Sequence, residues 1–246
     1  MATTRDYERQ RAHARRLGPQ RALRTLDEAR AFLDDRGVLT LTPDCALPSL
    51  FGACHEEPYS EAPGFGQWPK TKYWWASALA ERPGIHRLRI HRGKALLVAE
   101  RVARLADPLC RAALAAAEGG PHARLVAHLA AAGPSLLPEL KEELGLDPNG
   151  LRKARGAVER AGAVVSREVV LEPHRHTSEL CRWDQLFPEA VSGGGIDELV
   201  LAGVAAAVVA PEREIPNWFT WPVRGTVERL VEAGRLVRLD AGLACA

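Results

Sequence analysis

Two short segments combine residue types that catalyse hydrolysis or bind metals. The first, "CHEEPYSE", places His55 two positions before Glu57. In zinc deaminases a His-x-Glu supplies one metal ligand and the general acid/base, and a Pro-Cys-x-x-Cys supplies the other ligands. The chain contains no Pro-Cys-x-x-Cys, so the sequence argues against that class of enzyme. Glu56 and Glu57 are left as loop carboxylates that could activate water for glycosidic cleavage or could simply be solvated.

The second segment, "PHRHTSELC", holds His174, His176 and Cys181. Imidazole and thiolate groups are zinc ligands, but structural zinc sites combine two closely spaced ligand pairs. The chain lacks a second close pair. It also lacks a phosphate-binding glycine loop and a nucleophile elbow. We therefore predict no metal site, no cofactor and no recognisable catalytic residue.

Cysteine spacing and hydropathy bear on the compartment. The five cysteines are scattered, without a Cys-x-x-Cys, which is typical of reduced thiols. The chain begins with a polar, charged segment, and its most apolar run, residues 199–210, is shorter than the roughly 20 residues that cross a bilayer. We expect a cytoplasmic protein with no membrane partner. The formal net charge of +2 says little about partners, so the distribution of charge has to be considered.

A short basic helix is predicted in "NGLRKARGAVERAG". Its apolar residues share one face, with Asn149 as a candidate N-cap and Gly162 at the end. The remaining surface carries four cations, which are Arg152, Lys153, Arg155 and Arg160. Cations at the start of a recognition helix suit DNA, because neutralising phosphates releases counterions. The alternative is a charged face exposed to solvent or to a protein partner.

A basic hairpin is predicted in "HRLRIHRGK". Strand alternation puts Arg87 and Arg89 on one side, and Arg92 and Lys94 lie at the turn. Such a wing could hold phosphates or enter a minor groove. The alternative is an exposed hairpin that arginines keep in solution.

One aromatic residue near this hairpin is a candidate for contact with bases. Trp74 lies between Tyr73 and Trp75, and one helix cannot bury all three rings. Trp75 pairs with Leu79 at i, i+4, which leaves Trp74 at the margin of the apolar face. An exposed Trp74 could stack on an unpaired base; packing in the core is the alternative.

The elements that position these side chains form a repeating pattern. The middle of the chain has the order of a winged helix-turn-helix, namely two helices, a basic helix and a strand. The segments "VERAGAVV" and "LVEAGRLV" can be aligned, and each marks the junction between a helix and a strand, which indicates an internal repeat. The hairpin in the first half could belong to a third, more divergent unit. We predict a mainly α fold with small β-wings (α+β) made of tandem winged helix-turn-helix units. The predicted domains are an N-terminal helical, winged-helix-like region with the basic hairpin (1–118), a winged helix (119–191) and a C-terminal winged helix (192–246).

Two blocks, "FLDDRGVLTLTPDCALPSLFGAC" and "WPKTKYWWASALAERPGIHRLRI", carry a family resemblance. With the winged-helix pattern downstream, they resemble the AlkZ-related proteins, relatives of the bacterial winged-helix DNA glycosylases. The resemblance covers roughly residues 26–243. It implies tandem winged helices around a DNA-binding channel, with double-stranded DNA as the partner.

The chain departs from the family at the catalytic motif. The glycosylases of this group carry Q-x-Q or Q-x-D, and none of the four glutamines here has Gln or Asp two positions later. No catalytic residue can therefore be carried over. The leading interpretation is a DNA-binding protein that recognises damaged or distorted DNA, without evident catalysis. A DNA glycosylase with non-standard catalytic residues is one alternative, and a transcription regulator or protein-interaction module is another. The sequence does not indicate an oligomeric state.

Overall fold

One order of elements recurs three times along the chain: a helix, a short strand, two further helices and an antiparallel hairpin. The computed structural model describes residues 4–62, 64–172 and 175–246. In each copy, the short strand pairs with the second strand of the hairpin, so the first hairpin strand lies at the opposite edge of the sheet. This is the chain order expected of a winged helix.

The first copy contains the basic hairpin. Two elements precede it, α1 (Thr4–Ala14) and a short 3-10 helix (Pro19–Arg21). Its helices are α2 (Leu26–Arg36), α3 (Leu50–Cys54) and α4 (Trp75–Ala80), with a 3-10 turn (Gly64–Gln67) before α4. Its strands are β1 (Val38–Thr40), β2 (Ile85–His91) and β3 (Lys94–Ala99), in the sheet order β1-β3-β2.

The second copy contains the basic helix. The connection from the first is α5 (Glu100–Ala103), a 3-10 turn (Arg104–Ala106) and α6 (Asp107–Glu118). The helices of this copy are α7 (Ala123–Ala132), α8 (Leu137–Leu144) and α9 (Pro148–Ala161). Its strands are β4 (Ser135–Leu136), β5 (Val164–Glu172) and β6 (Arg175–Arg182), in the order β4-β6-β5, and α10 (Trp183–Leu186) follows.

The third copy is the smallest. It comprises α11 (Ile196–Ala207), a 3-10 helix (Glu212–Asn217), α12 (Thr226–Glu232), β7 (Leu236–Leu239) and β8 (Gly242–Cys245). Ala210 stands in for the short strand, since it bridges Leu243 of β8. The mainly helical class with small antiparallel sheets is thus confirmed. The winged-helix interpretation of each copy rests on element order and strand pairing.

The ends of α9 are fixed by local chemistry. Asp147, rather than Asn149, is the N-cap: its carboxylate accepts hydrogen bonds from the backbone N–H groups of Asn149 at 2.8 Å and Gly150 at 3.0 Å. Pro148 then occupies the first helical position, where its missing N–H costs nothing. Gly162 ends the helix with φ of 83°, as predicted. The prediction of Asn149 as the N-cap is therefore wrong by two residues, because the Asp147 carboxylate caps the helix and Pro148 starts it.

The buried side chains form three clusters. One fills the first copy around Phe32 and Leu50, and another fills the second copy around Leu125 and Leu151. The largest combines residues from all three predicted domains, among them Leu88, Trp183, Val204 and Trp218. The domain boundaries at 118/119 and 191/192 stay predictions. Among the residues that the structure describes, no helix has the length and apolarity to cross a bilayer.

Candidate nucleic-acid interface

The two predicted basic segments, far apart in sequence, contact each other. The turn between β2 and β3 consists of Arg92 and Gly93, whose φ angles are 51° and 79°. Two positive φ angles define the tight hairpin turn whose twist matches that of the strands. A Cβ at position 93 would lie 2.9 Å from Cδ of Arg160 on α9, so the Arg160 stem lies across this turn. The structure therefore brings the hairpin and α9 together.

Glu159 joins these two elements below the surface. Its side chain is 4% exposed, and its carboxylate lies 2.9 Å from Nε of Arg155 and 3.3 Å from Nε of Arg89 on β2. The Ser166 hydroxyl on β5 donates to the same carboxylate at 2.5 Å. Helical periodicity placed Glu159 on the polar face of α9, and that face is covered here by β2. Arg89 and Arg155 are therefore held by a carboxylate of the protein.

Arg87 lies beside this group and is half-buried. Burial lowers the pKa of Arg87, and repulsion from Arg89 lowers it further, although Glu168 and Glu159 act in the opposite direction. No ion pair is formed by Arg87 within the described part of the chain. It faces the space between β2, α9 and β5 more than open solvent.

Lys94, at the other side of the hairpin turn, forms an ion pair with Asp44. Both side chains are partly exposed, so this pair contributes at most about 1 kcal/mol. A phosphate could therefore replace Asp44 as the partner of Lys94 at little cost.

Four of the predicted cations are exposed to solvent and form no ion pair within 4 Å among residues 4–62, 64–172 and 175–246, although Lys153 lies near enough to Asp147 to lower the pKa of that carboxyl: Arg92, Arg152, Lys153 and Arg160. We call them the turn–helix surface. Lys153 and Arg160 are seven residues apart, so they share one face of α9 about 10 Å apart along the axis. The Asp147 carboxylate already accepts hydrogen bonds from the first free N–H groups of α9. An anion at this surface would therefore be bound by the cationic side chains and not by the N-terminus of the helix.

Trp74 is exposed, and its side chain opens toward solvent at the start of α4. Its relative exposure is 48%, while Trp75 is buried and meets it edge-on at 6.5 Å between ring centroids. The Ser77 hydroxyl donates to Glu168 of β5 at 2.8 Å, which links α4 to the sheet beside Arg87. Three more exposed aromatic rings lie nearby in sequence and contact one another: Tyr59, Phe65 and Tyr73.

The described residues of the two segments with possible chemistry have the following contacts. Glu56 lies 3.3 Å from Lys72, and Glu57 lies 2.8 Å from Lys70. His174 lies outside the described residues, and His176 contacts Glu168 at 2.9 Å. Burial raises the pKa of Cys181 to about 11, the opposite of an activated thiol.

Comparison with known proteins identifies a solved structure with a similar fold. No protein-family model matches the sequence, and no curated protein matches it. Among solved structures, the chain is similar to the DNA glycosylase AlkZ of Streptomyces sahachiroi, with a TM-score of 0.61 and 13% sequence identity. The match covers 100% of this chain and 70% of the glycosylase chain. The chain is thus a structural relative of AlkZ, and the resemblance drawn from the sequence is confirmed at the level of the fold.

Proposed function

We propose that this protein binds double-stranded DNA through the turn–helix surface. The observation that carries the proposal is the contact between the β2–β3 turn and the Arg160 stem. It brings the turn that contains Arg92 to the helix that also carries Arg152 and Lys153. Cations without an internal carboxylate can neutralise phosphates without breaking a protein ion pair. The similarity in fold to a DNA glycosylase supports the same partner.

The remaining predicted residues have different roles in this proposal. Arg89 and Arg155 are positioning residues, because they bind Glu159 and hold β2 against α9. Lys94 contacts DNA after exchanging Asp44 for a phosphate, and Arg87 lies at the inner edge of the interface. The cytoplasmic location remains a prediction.

Recognition of damaged or distorted DNA is the finer part of the proposal. Trp74 projects into solvent from the helix that contacts β5. An unpaired base could stack on this ring, which is worth about 1–3 kcal/mol. A paired base in an intact duplex offers no free face, so the ring would favour bulged or otherwise opened sites.

Base excision is the second candidate, because the similar structure is that of a DNA glycosylase. The chain lacks the Q-x-Q or Q-x-D motif, so excision would require other residues. Glu56 is the carboxylate to examine first. Burial raises the pKa of Glu56, but hydrogen bonds from the Thr71 hydroxyl and backbone N–H and the pair with Lys72 outweigh burial and hold the pKa below the ordinary value, so the carboxyl group is ionised at neutral pH.

The proposal is tested with three labelled duplexes that are intact, alkylated or carry a single-base bulge. With five phosphate contacts, from the four cations of the turn–helix surface and from Lys94, the logarithm of affinity should fall with the logarithm of salt at a slope of about −4.5, or roughly 500-fold between 50 and 200 mM. Absent or salt-insensitive binding would reject the proposal and favour a protein-interaction module. Alkaline cleavage after incubation with the alkylated duplex tests excision: cleaved strands establish it, and persistently intact strands reject it.

A further inference from the structure

Three potential metal ligands converge beside the hairpin turn. The carboxylate of Asp44, the thiol of Cys45 and an imidazole nitrogen of His91 all lie within 4.8 Å of one another. Asp44 and Cys45 belong to the loop between β1 and α3, and His91 ends β2. Nothing in the sequence spacing indicates this cluster, because the fold alone brings His91 to the loop.

His91 has the features of an oriented ligand. The ring is 1% exposed, and its Nδ1 lies 2.6 Å from the carbonyl oxygen of Trp218. A carbonyl only accepts, so we assign the proton to Nδ1, which leaves a lone pair on Nε2. In the described part of the chain, Nε2 has no hydrogen-bond partner, and it lies 3.8 Å from Oδ1 of Asp44. A buried nitrogen of this kind calls for a water or an ion, and an N–H to carbonyl bond is the usual support of a metal-binding histidine.

A catalytic cysteine fits this arrangement poorly. In a nucleophile–histidine–carboxylate triad, one ring nitrogen deprotonates the nucleophile while the carboxylate holds the other. Here Asp44 faces Nε2, and Trp218 occupies Nδ1.

We propose that Asp44, Cys45 and His91 form a binding site for a divalent metal ion of the zinc class. One oxygen, one sulfur and one nitrogen donor suit zinc, whereas magnesium and calcium prefer oxygen alone. An ion centred between three atoms at most 4.8 Å apart lies within about 2.8 Å of each. Contraction by less than about 1 Å reaches zinc–ligand distances of about 2.0–2.3 Å.

The surroundings fix the loop and leave Oδ1 of Asp44 and Nε2 of His91 available, while the backbone N–H of Leu47 contacts the Cys45 sulfur. Arg15 is buried and donates to the carbonyl of Cys45 at 3.3 Å and that of Leu47 at 3.4 Å. The backbone N–H of Ala46 donates to Glu214 at 2.6 Å. Lys94 pairs with Oδ2 of Asp44, while Oδ1 faces His91.

The test uses the full chain, stripped of metal with a chelator and titrated with Co²⁺ and then Zn²⁺. We expect a thiolate-to-cobalt charge-transfer band at one ion per chain, which zinc abolishes. Cys45→Ser should lose the band, and Asp44→Asn, at an exposed position, should weaken zinc binding at least about tenfold. Cys181→Ser changes a half-buried thiol outside the cluster and should behave as the unaltered protein.

A second measurement keeps the result interpretable if a variant is destabilised. Zinc should raise the unfolding midpoint of the unaltered chain and of Cys181→Ser, and leave that of Cys45→Ser unchanged, because a ligand stabilises only the state that binds it. The proposal is overturned if no band and no zinc-dependent shift appear, or if Cys45→Ser and Asp44→Asn bind as the unaltered chain does. Neither readout involves DNA, so the outcome is independent of the proposed function.

Discussion

Nε of Arg89 lies 3.3 Å from Oε2 of Glu159, and this ion pair joins a hairpin of the first copy to a helix of the second. The same carboxylate binds Arg155. Two of the cations that the sequence offers to DNA therefore serve to connect the two copies. The turn–helix surface depends on this connection, because α9 and the β2–β3 turn keep their relative position only while β2 stays packed against α9.

Glu159→Gln should destabilise the protein strongly. Removing one partner of a buried pair leaves the other charges uncompensated, at a cost of about 3–5 kcal/mol. Arg89 is 42% exposed and can regain water, so we expect about 3 kcal/mol in urea unfolding. Glu232→Gln, at an exposed position at the end of α12, should change stability by no more than about 0.5 kcal/mol. A loss below about 1 kcal/mol in Glu159→Gln would contradict the connecting role.

Gly93→Ala should destabilise the hairpin turn and disturb Arg160. The left-handed backbone at φ of 79° costs an L-residue about 1–2 kcal/mol, and the new methyl group would press on the Arg160 stem. Gly119→Ala is the matched control, since φ there is −98° and no atom lies within 4 Å of the added carbon. Thermal unfolding and DNA affinity should both fall for Gly93→Ala alone; equal behaviour of the two variants would argue against the contact.

The hydrogen bonds of Asp107 should make part of the folding stability sensitive to acid. Burial alone would raise its pKa, but hydrogen bonds from Trp183 at 2.7 Å and from Arg111 outweigh burial and keep the pKa below the ordinary value. The stabilisation is therefore present above the unfolded-state pKa of about 3.9 and lost as pH falls through the lower folded-state pKa.

Asp107→Asn tests this contribution. At pH 7 the variant should lose about 2–4 kcal/mol, because hydrogen bonds to a charged acceptor are worth about 1.5–3 kcal/mol each. The difference from the unaltered protein in urea unfolding should shrink as pH falls below about 4. A difference that stays constant across that range would show that the carboxylate charge is not responsible.

Trp74→Ala should change the choice of DNA rather than the stability of the fold. Losing one stacked base costs about 1–3 kcal/mol, so the preference for a bulged over an intact duplex should fall by about 5- to 150-fold. Leu17→Ala is a control, because Leu17 is also 48% exposed and has no ring to stack. If Trp74→Ala keeps the bulge preference, Trp74 does not contact bases.

Much of the fold follows from local patterns that can be read in the sequence. The alternating strand, the apolar face of α9 and the glycine at its end predict elements that the structure contains, since each depends on neighbours within a few residues. The repeat of the helix-to-strand junction can be recognised at Ala161-Gly162 and Ala233-Gly234, because the end of a helix also depends only on nearby residues. The first copy, around β1–β3, is harder to predict, because long loops separate its helices and no alignment of two short motifs exposes it.

The candidate site was less predictable, because contacts between copies decide which of its residues are buried and which of its cations form ion pairs. Helical periodicity marks Glu159 as a surface residue, and only the arrival of β2 on that side buries it. Similarly, the grouping of Asp44 and Cys45 with His91 depends on the β1–α3 loop folding back over the end of β2. For Trp74, the sequence places the ring at the margin of an apolar face and leaves packing in the core open; the structure shows the ring 48% exposed.

The turn–helix surface is tested most directly by comparing two charge-removing double variants. Arg152→Ala/Lys153→Ala removes two cations without carboxylate partners, and Arg235→Ala/Arg238→Ala removes two that pair with Glu198 and Glu212 in the third copy. Duplex affinity is measured by fluorescence anisotropy across a salt series. We predict that the first variant binds more weakly and that its log–log salt slope is smaller by about 2, while the second keeps the original slope. Equal slopes in the two variants, or a loss confined to Arg235→Ala/Arg238→Ala, would contradict the proposed interface.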